Sequence, residues 1–184
     1  MVFKEAVRSC KAVALATAVL VASTAPSASL AKDKDDFTAG VQISELLQVP
    51  SNLSSCQPSD PSAESAALGF ITGSGLGSAI GAFTVESVDC VRSANPLPYF
   101  LPPFTFSSTT FKLTTADGDQ IIATYGGTAE LQPSGVLVLK GSFTFTGGTG
   151  KYSKVKGGGT LIGVENIATS PATGFVTLSG TISR

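Results

Sequence analysis

The sequence predicts an all-β protein whose eight strands close into an antiparallel up-and-down barrel. Apolar and polar residues alternate with period two along most of the chain, and no stretch of comparable length has helical spacing. Clusters of Gly, Pro, Asn and Asp divide the chain into eight segments, and most connections are short. Such a meander can fold as a two-sheet sandwich or as a closed barrel. Closure is favoured because it removes both exposed edge strands.

Residues 1–31 have the pattern of a secretory signal peptide. A basic start precedes an eleven-residue apolar run, 12–22, which is too short to cross a bilayer as a helix. Ser29 and Ala31 then supply small side chains before a cleavage site. We therefore predict a secreted or periplasmic protein without a membrane span, in which the charged residues 32–36 form a linker to a β-barrel domain at 37–184.

The strands follow in order from the alternation and from the breakers between them. Phe37, Ala39 and Val41 begin the apolar parity of the first strand, and the glycines at 73–77 separate the second from the third. Tight turns separate the last five strands, at 116–119, 133–135, 147–150 and 170–172. The predicted strands are Phe37–Val49, Ala66–Gly73, Ser78–Arg92, Phe104–Thr115, Gln120–Leu131, Val136–Thr146, Lys156–Glu165 and Thr173–Ser183.

Two longer connections interrupt the pattern. Residues 50–65 contain Cys56, and residues 93–103 contain four prolines, which exclude that segment from a central strand. We expect the proline-rich loop to fold over a barrel mouth, with Tyr99, Phe100 and Leu101 packing inward. The interior of an eight-stranded barrel is either just filled by side chains or wide enough for one small ligand. The function of the chain depends on which of the two applies.

Two cysteines remain once residues 1–31 are removed, Cys56 and Cys90. An even number in an exported chain indicates a disulfide, and the alternative is a pair of buried free thiols. A linked pair would attach the loop at 50–65 to the outer face of the third strand.

Composition excludes several classes of function. The chain has 12 basic and 13 acidic residues and a formal net charge of −1, which argues against a nucleic-acid partner. It has no His, which excludes Ser-His-Asp and Cys-His nucleophiles and the HExxH zinc site. We predict no metal site and no cofactor. Gly147–Gly150 does not predict a phosphate cradle, because it lies between two strands and not before a helix.

Several segments carry a resemblance to a known family. They are residues 75–84 (GLGSAIGAFT), residues 116–119 (ADGD) with 125–127 behind them, and residues 147–152 (GGTGKY) followed by 157–160 (GGGT). The chain resembles small exported bacterial proteins with an allene-oxide-cyclase-like barrel, and its Gly-Gly-Thr-Gly turn is similar to that of plant allene oxide cyclases and dirigent proteins. The resemblance covers most of residues 73–184. It implies a barrel that cyclises or orients a bound molecule, with a functional glutamate on the first strand.

Three side chains are candidates for moving or orienting a proton. Glu45 shares the apolar parity of the first strand, and a carboxyl buried there would have a raised pKa suited to acid or base catalysis. Alternatively, a bulge turns Glu45 to solvent. Asp89 lies on the aromatic parity of the third strand, and Tyr125 on the inward parity of the fifth. The predicted ligand contacts are Phe83, Val85, Tyr99, Phe100, Phe143 and Phe145. The interior is also expected to include Leu137, Leu139, Val176, Leu178 and Ile182.

Three functions follow from this architecture. The leading prediction is a secreted barrel that binds a small apolar molecule in its interior. The second is a cofactor-free cyclase or isomerase that uses Glu45, Asp89 or Tyr125. The third is a filled barrel that serves as an extracellular interaction module. The sequence leaves the ligand and the oligomeric state open.

Overall fold

The computed structural model describes residues 34–184, which form a closed barrel of eight antiparallel strands. Each strand pairs with its neighbours in sequence, and the last strand pairs with the first to complete the closure. The strands are β1 Asp35–Gln48, β2 Ser65–Gly77, β3 Gly81–Ser93, β4 Phe104–Thr115, β5 Gln120–Leu131, β6 Val136–Gly148, β7 Lys156–Asn166 and β8 Ala172–Ser183. Short 3-10 turns occur at Ser54–Cys56 and Gly150–Tyr152. The predicted fold class is confirmed.

The predicted signal peptide at 1–31 lies outside the described residues, so its assignment stays a prediction. Residues 34–184 contain no helix of the length and apolar character needed to span a bilayer. Strand β1 begins at Asp35, inside the segment predicted as a linker, because Asp35 still pairs with Ile182 of β8.

The β2–β3 turn lies at residues 78–80, later than the predicted break at 74–77 between the second and third strands. Gly73, Gly75 and Gly77 remain in the β2 ladder opposite β3. A Cβ on Gly75 would lie 2.7 Å from the ring of Phe83. The glycines therefore allow a bulky aromatic on the next strand to pack closely, which is a common role of glycine inside a strand.

One end of the barrel interior is densely filled, and we call it the packed half. Its aromatic centre is Phe37, whose ring meets Phe143 and Phe145 edge to face at centroid distances of 5.9 and 5.2 Å. Tyr152 and Val155, from the β6–β7 connection, are buried against the same core. The other buried members of the packed half include Ala39, Ile80, Phe83, Val85, Leu113, Ile121, Ala123 and Ile182. These side chains occupy the space that a ligand would need.

The inward face predicted for β6 and β8 is confirmed by burial. All seven of its residues belong to one hydrophobic core, although they are divided between the two ends of the barrel. They are Leu137, Leu139, Phe143, Phe145, Val176, Leu178 and Ile182.

The predicted disulfide is present. Cys56 and Cys90 are bonded, with their Cα atoms 5.3 Å apart. Cys56 is buried against Ala66 and Leu68 on the outer wall of β2. The bond thus holds the loop at 49–64 against the outside of the barrel, where a small second core forms.

The proline-rich loop differs from its prediction. Tyr99 and Leu101 are 63% and 53% exposed, so only Phe100 of the three aromatic and aliphatic side chains turns inward. Phe100 stacks on Phe104 with the ring centroids 4.8 Å apart. Residues 97–103 form turns and bends, in which the Tyr99 amide donates to the Pro96 carbonyl and the Leu101 amide donates to Ser93 Oγ. With the backbone held in this irregular path, only Phe100 reaches the interior.

Candidate functional site

The opposite end of the barrel contains a cavity of about 250 Å³, and we call this end the cavity half. Odd-numbered strands finish here and even-numbered strands begin, so the two longest connections, 49–64 and 94–103, lie at the cavity mouth. The lining residues Leu47 and Ile167 are 37% and 38% exposed, which places the edge of the cavity at the protein surface. An apolar cavity of about 150 Å³ holds benzene, so this one accommodates roughly ten non-hydrogen atoms.

The cavity wall is apolar except for four ionisable side chains. The apolar lining is Val41, Ile43, Leu47, Ile71, Val91, Phe100, Phe104, Phe106, Phe111, Ala129, Leu137, Leu139, Leu161, Ile167, Val176 and Leu178. The ionisable residues are Glu45, Asp89, Tyr125 and Glu165. No Lys or Arg of residues 34–184 lines the cavity. A mostly apolar pocket with a few convergent polar groups is typical of a small-molecule site.

Glu45 and Glu165 form a buried carboxyl pair. They project from β1 and β7 and are only 8% and 4% exposed. Their Oε1 atoms are fully occluded and receive no hydrogen bond from any donor in the described part of the chain. When Glu45 is protonated, it donates a hydrogen bond to Glu165. A single proton held between two carboxyls is the stable arrangement for such a pair, because both cannot ionise cheaply at close range.

The surroundings of Glu45 strongly favour its neutral form. Burial is the main cause, and the nearby charges of Glu165 and Asp89 add to it, so the pKa of Glu45 rises to about 9. Burial also raises the pKa of Glu165, and the hydrogen bond from Glu45 partly offsets that rise. Glu45 therefore keeps its proton around neutral pH and can share it with Glu165.

A glycine in the neighbouring strand makes room for the Glu45 carboxyl. A Cβ at Gly69 of β2 would overlap Oε1 of Glu45 and lie 3.4 Å from Cβ of Asp89. On the other side, Gly174 of β8 pairs with both Ile43 and Glu165. The Glu45 carboxyl thus occupies the space of an absent side chain between β1 and β3, close to Asp89.

Asp89 is the acceptor at the centre of a second polar cluster. Tyr125 Oη donates to Asp89 Oδ1, and Ser87 Oγ donates to the same oxygen at 3.0 Å. Burial raises the pKa of Asp89 to about 7 even though both hydrogen bonds favour its ionised form. Burial and the Asp89 charge raise the pKa of Tyr125, so the phenol keeps its proton. Asp89 is consequently poised to gain or lose a proton near neutral pH.

A β-bulge in β4 positions this second cluster. The pairing of β4 with both neighbours shifts between Ser108 and Phe111, so one extra residue enters the strand there. Ser108 Oγ donates to the Val88 carbonyl at 2.8 Å, and the Val88 amide donates to Thr110 Oγ1 at 3.1 Å. The side chains thereby satisfy the backbone groups that the bulge leaves unpaired. They also hold Ser108 Oγ 2.7 Å from Ser87 Oγ.

The structure brings some predicted site residues together and separates others. Glu45, Asp89 and Tyr125 all line the cavity, and so does Phe100. The remaining predicted ligand contacts lie elsewhere: Phe83, Val85, Phe143 and Phe145 are in the packed half, and Tyr99 is on the surface. The functional roles assigned to these residues stay predictions.

The sequence interpretation missed Glu165, Ser87 and Ser108. The sequence pattern did not reveal Glu165, because the outward-facing residues of β7 are also apolar. Ile162 and Val164 face outward and are 58% and 48% exposed. The other inward-facing residues of β7 are mostly glycine, namely Gly159, Leu161 and Gly163. The alternation of apolar and polar residues therefore does not show which face of β7 points inward. The signal that could have identified it was the register itself, which places Glu165 opposite Gly174.

The arrangement supports two kinds of chemistry, apolar binding and proton transfer. Within the described part of the chain, no three acidic or cysteine side chains are grouped so that they could hold a metal ion.

No protein-family model, curated protein or solved structure matches the chain. The function of the chain must therefore be inferred from the cavity and its four ionisable residues.

Proposed function

We propose that this protein binds one small apolar molecule inside the cavity half of its barrel. The single observation that carries the proposal is the cavity of about 250 Å³ with a nearly continuous apolar wall. A barrel serving only as a surface module would be expected to fill this space, since close packing is worth several kcal/mol. We further propose that the protein is exported and belongs with the allene-oxide-cyclase-like barrels.

Filling the cavity tests this proposal. Ala129 is buried and lines the cavity, so Ala129→Phe should occupy the ligand space. Thr128→Phe is the matched control, because it adds the same ring at the neighbouring exposed position. We expect indole, an uncharged aromatic of suitable size, to bind the wild type and the control with a stoichiometry of one in calorimetry. Ala129→Phe should bind none. Equal indole binding by all three proteins would contradict an interior site.

Native mass spectrometry of protein purified from its own source would identify the bound compound. We expect a co-purifying molecule of about ten non-hydrogen atoms in the wild type. The Ala129→Phe variant, purified in the same way, should lack it. A wild-type protein that carries nothing and binds no indole would reject the proposal.

A second candidate function, cofactor-free isomerisation or cyclisation, is favoured by the state of Asp89. Its pKa of about 7 matches what a general base at neutral pH requires. The base would remove a proton from a carbon next to a carbonyl, and the same proton would return at another carbon of the substrate. Tyr125, already hydrogen-bonded to Asp89, would position the carboxyl.

This second function can be assayed with a β,γ-unsaturated cyclic ketone, whose conjugated isomer absorbs in the near ultraviolet. Conversion by the wild type should fall about a hundredfold or more in Asp89→Asn, as expected for loss of a general base. Binding of the ketone should persist in that variant. Conversion at the uncatalysed rate by the wild type would leave the protein as a binding protein only.

A further inference from the structure

The charges around the cavity are unbalanced. Three carboxyls line it, and no cationic side chain of the described residues does. The ion pairs among residues 34–184 are all on the outer surface, between Lys112 and Glu86, Lys151 and Asp117, and Arg184 and Asp35. The acids of the cavity are therefore not compensated by this part of the protein.

Hydrogen bonds do not supply the missing compensation for the glutamate pair. Asp89 receives hydrogen bonds from Tyr125 and Ser87, but the occluded Oε1 atoms of Glu45 and Glu165 receive none from other residues described here. A proton between the two glutamates removes only one of the two charges. A buried charge without a partner is costly, and a ligand that supplied the opposite charge would remove that cost.

We propose that the ligand of this cavity is an apolar monocation, such as an aromatic or aliphatic amine, whose ammonium group lies between Glu45, Glu165 and Asp89. The inference rests on the proposed binding function. A metal ion does not fit, because the acidic groups of residues 34–184 are not arranged as metal ligands. A carboxylate ligand would add a fourth acid to the cavity, and a neutral alcohol would leave the charge uncompensated.

The aromatic wall also suits a cation with an apolar body. Tyr125 packs edge-on against Phe111 and Phe106, at centroid distances of 5.0 and 6.1 Å. The three rings therefore surround the Asp89 side of the cavity. Ring faces attract ammonium groups, and aliphatic or aromatic ligand carbons pack well on the rest of the wall.

Binding of a cation should be coupled to proton release. The titratable groups that face Glu45 are Glu165 from β7, Asp89 from β3 and Tyr125 from β5, and none of them is basic. An ammonium group beside the carboxyls favours their ionised forms. On average, binding therefore releases a fraction of a proton from Glu45 and Asp89. Affinity for the cation should accordingly rise as pH increases through the pKa of Asp89, about 7, towards that of Glu45, about 9.

Three probes of matched size test the inference by calorimetry at about pH 8: phenethylamine, phenethyl alcohol and phenylacetate. We expect the amine to bind about tenfold or more tightly than the alcohol, and the carboxylate to bind most weakly. Repeating the amine titration in buffers of different ionisation enthalpy should show net proton release. The alcohol should show none.

A double variant, Glu45→Gln with Glu165→Gln, should abolish the preference for the amine while alcohol binding stays within about twofold. Glu86→Gln removes an exposed acid from the outer wall and should change neither affinity. If the alcohol binds as well as the amine, the cation inference is wrong and the binding proposal stands. If none of the three probes binds and indole does not bind either, the proposed function itself is wrong.

Discussion

The two halves of this barrel are built from the same eight strands and the same alternation, yet one is solid and the other hollow. In the packed half, Phe37, Phe143 and Phe145 meet edge to face and fill the interior. In the cavity half, Glu45 and Glu165 project beside glycines, and a space of about 250 Å³ remains. The comparison indicates that stability is concentrated at one end so that the other can tolerate buried carboxyls.

The connections differ in the same way. At the packed end, turns of three and four residues, 78–80 and 116–119, join the strands, and one connection contributes Tyr152 to the core. At the cavity end the two long loops 49–64 and 94–103 lie beside two short turns, 132–135 and 167–171. Long loops around a rigid frame are where binding sites commonly form.

The largest expected effect is on the packed half. Phe143→Ala should lower the free energy of unfolding by about 3 to 5 kcal/mol, because the buried ring leaves a space that its neighbours cannot fill. The adjacent Thr144 is exposed, so Thr144→Ala should change it by no more than about 0.5 kcal/mol. Urea unfolding measures both. Similar losses at the two positions would contradict the difference between inward and outward faces.

Removing the disulfide should loosen the cavity half selectively. Cys56→Ser with Cys90→Ser opens a link between residues 34 positions apart, which should cost about 3 to 4 kcal/mol on the chain-entropy model. Hydrogen exchange should quicken at the start of β2 and the end of β3, near Ala66 and Val91. The protection of backbone amides around Phe143 against hydrogen exchange should fall only by the amount expected from the loss of global stability. Uniform loss of protection at both ends beyond that amount would show that the halves are not independent.

The third prediction concerns the pH dependence that the cavity half adds to stability. Glu45 is an acid whose folded-state pKa is raised from 4.5 to about 9, so the folded protein holds a proton that the unfolded chain releases. The contribution of Glu45 to the free energy of unfolding is fully present below about pH 4.5 and is lost as pH rises towards 9. Glu45→Gln should flatten this decline and stabilise the protein at neutral pH by up to about 3 kcal/mol.

Thermal unfolding between about pH 5 and pH 9 measures the slope, and carbon NMR of the Glu45 carboxyl gives the midpoint directly. Glu86→Gln is the control for loss of an acid, since Glu86 is exposed beside Lys112. A wild-type stability that does not fall with pH, or a Glu45 midpoint at its ordinary value, would show that this carboxyl is solvated.

The smallest effect on stability is expected at Gly69. Gly69→Ala adds a methyl group where Glu45 Oε1 now lies, and that flexible carboxyl can move aside. Unfolding free energy should change by about 1 kcal/mol or less, while the pKa of Glu45 falls as the carboxyl moves into the open cavity. Gly73→Ala is the contrasting variant, because its Cβ would overlap the backbone carbonyl of Gln42. We expect it to cost about 1 to 3 kcal/mol. An unchanged pKa of Glu45 in Gly69→Ala would contradict the close approach of the Glu45 carboxyl to Gly69.

Sequence alone predicts the frame of this molecule well, because strand alternation and turn residues are local signals. The bounds of β4 and β5 and the Cys56–Cys90 bond follow from it. The cavity does not, because it results from which inward side chains are small and how strands tilt around the barrel. Glu165 illustrates the difficulty: its burial depends on the register of β7 against β8, while the exposed Ile162 and Val164 give the stronger apolar pattern.

The bulge in β4 has a consequence for how the gene of this protein can change. Before the bulge, even-numbered residues such as Phe106 face inward, and after it odd-numbered residues such as Leu113 do. Loss of the codon for Thr109 or Thr110 would remove the extra residue and restore regular alternation, so both parts of the strand would keep their faces. In β7, whose pairings run without a shift, loss of the codon for Thr160 would instead turn part of the strand to the opposite face. The barrel can therefore survive deletion of the bulge, and descendants of this gene should retain the extra codon only where selection acts on the polar cluster that the bulge positions.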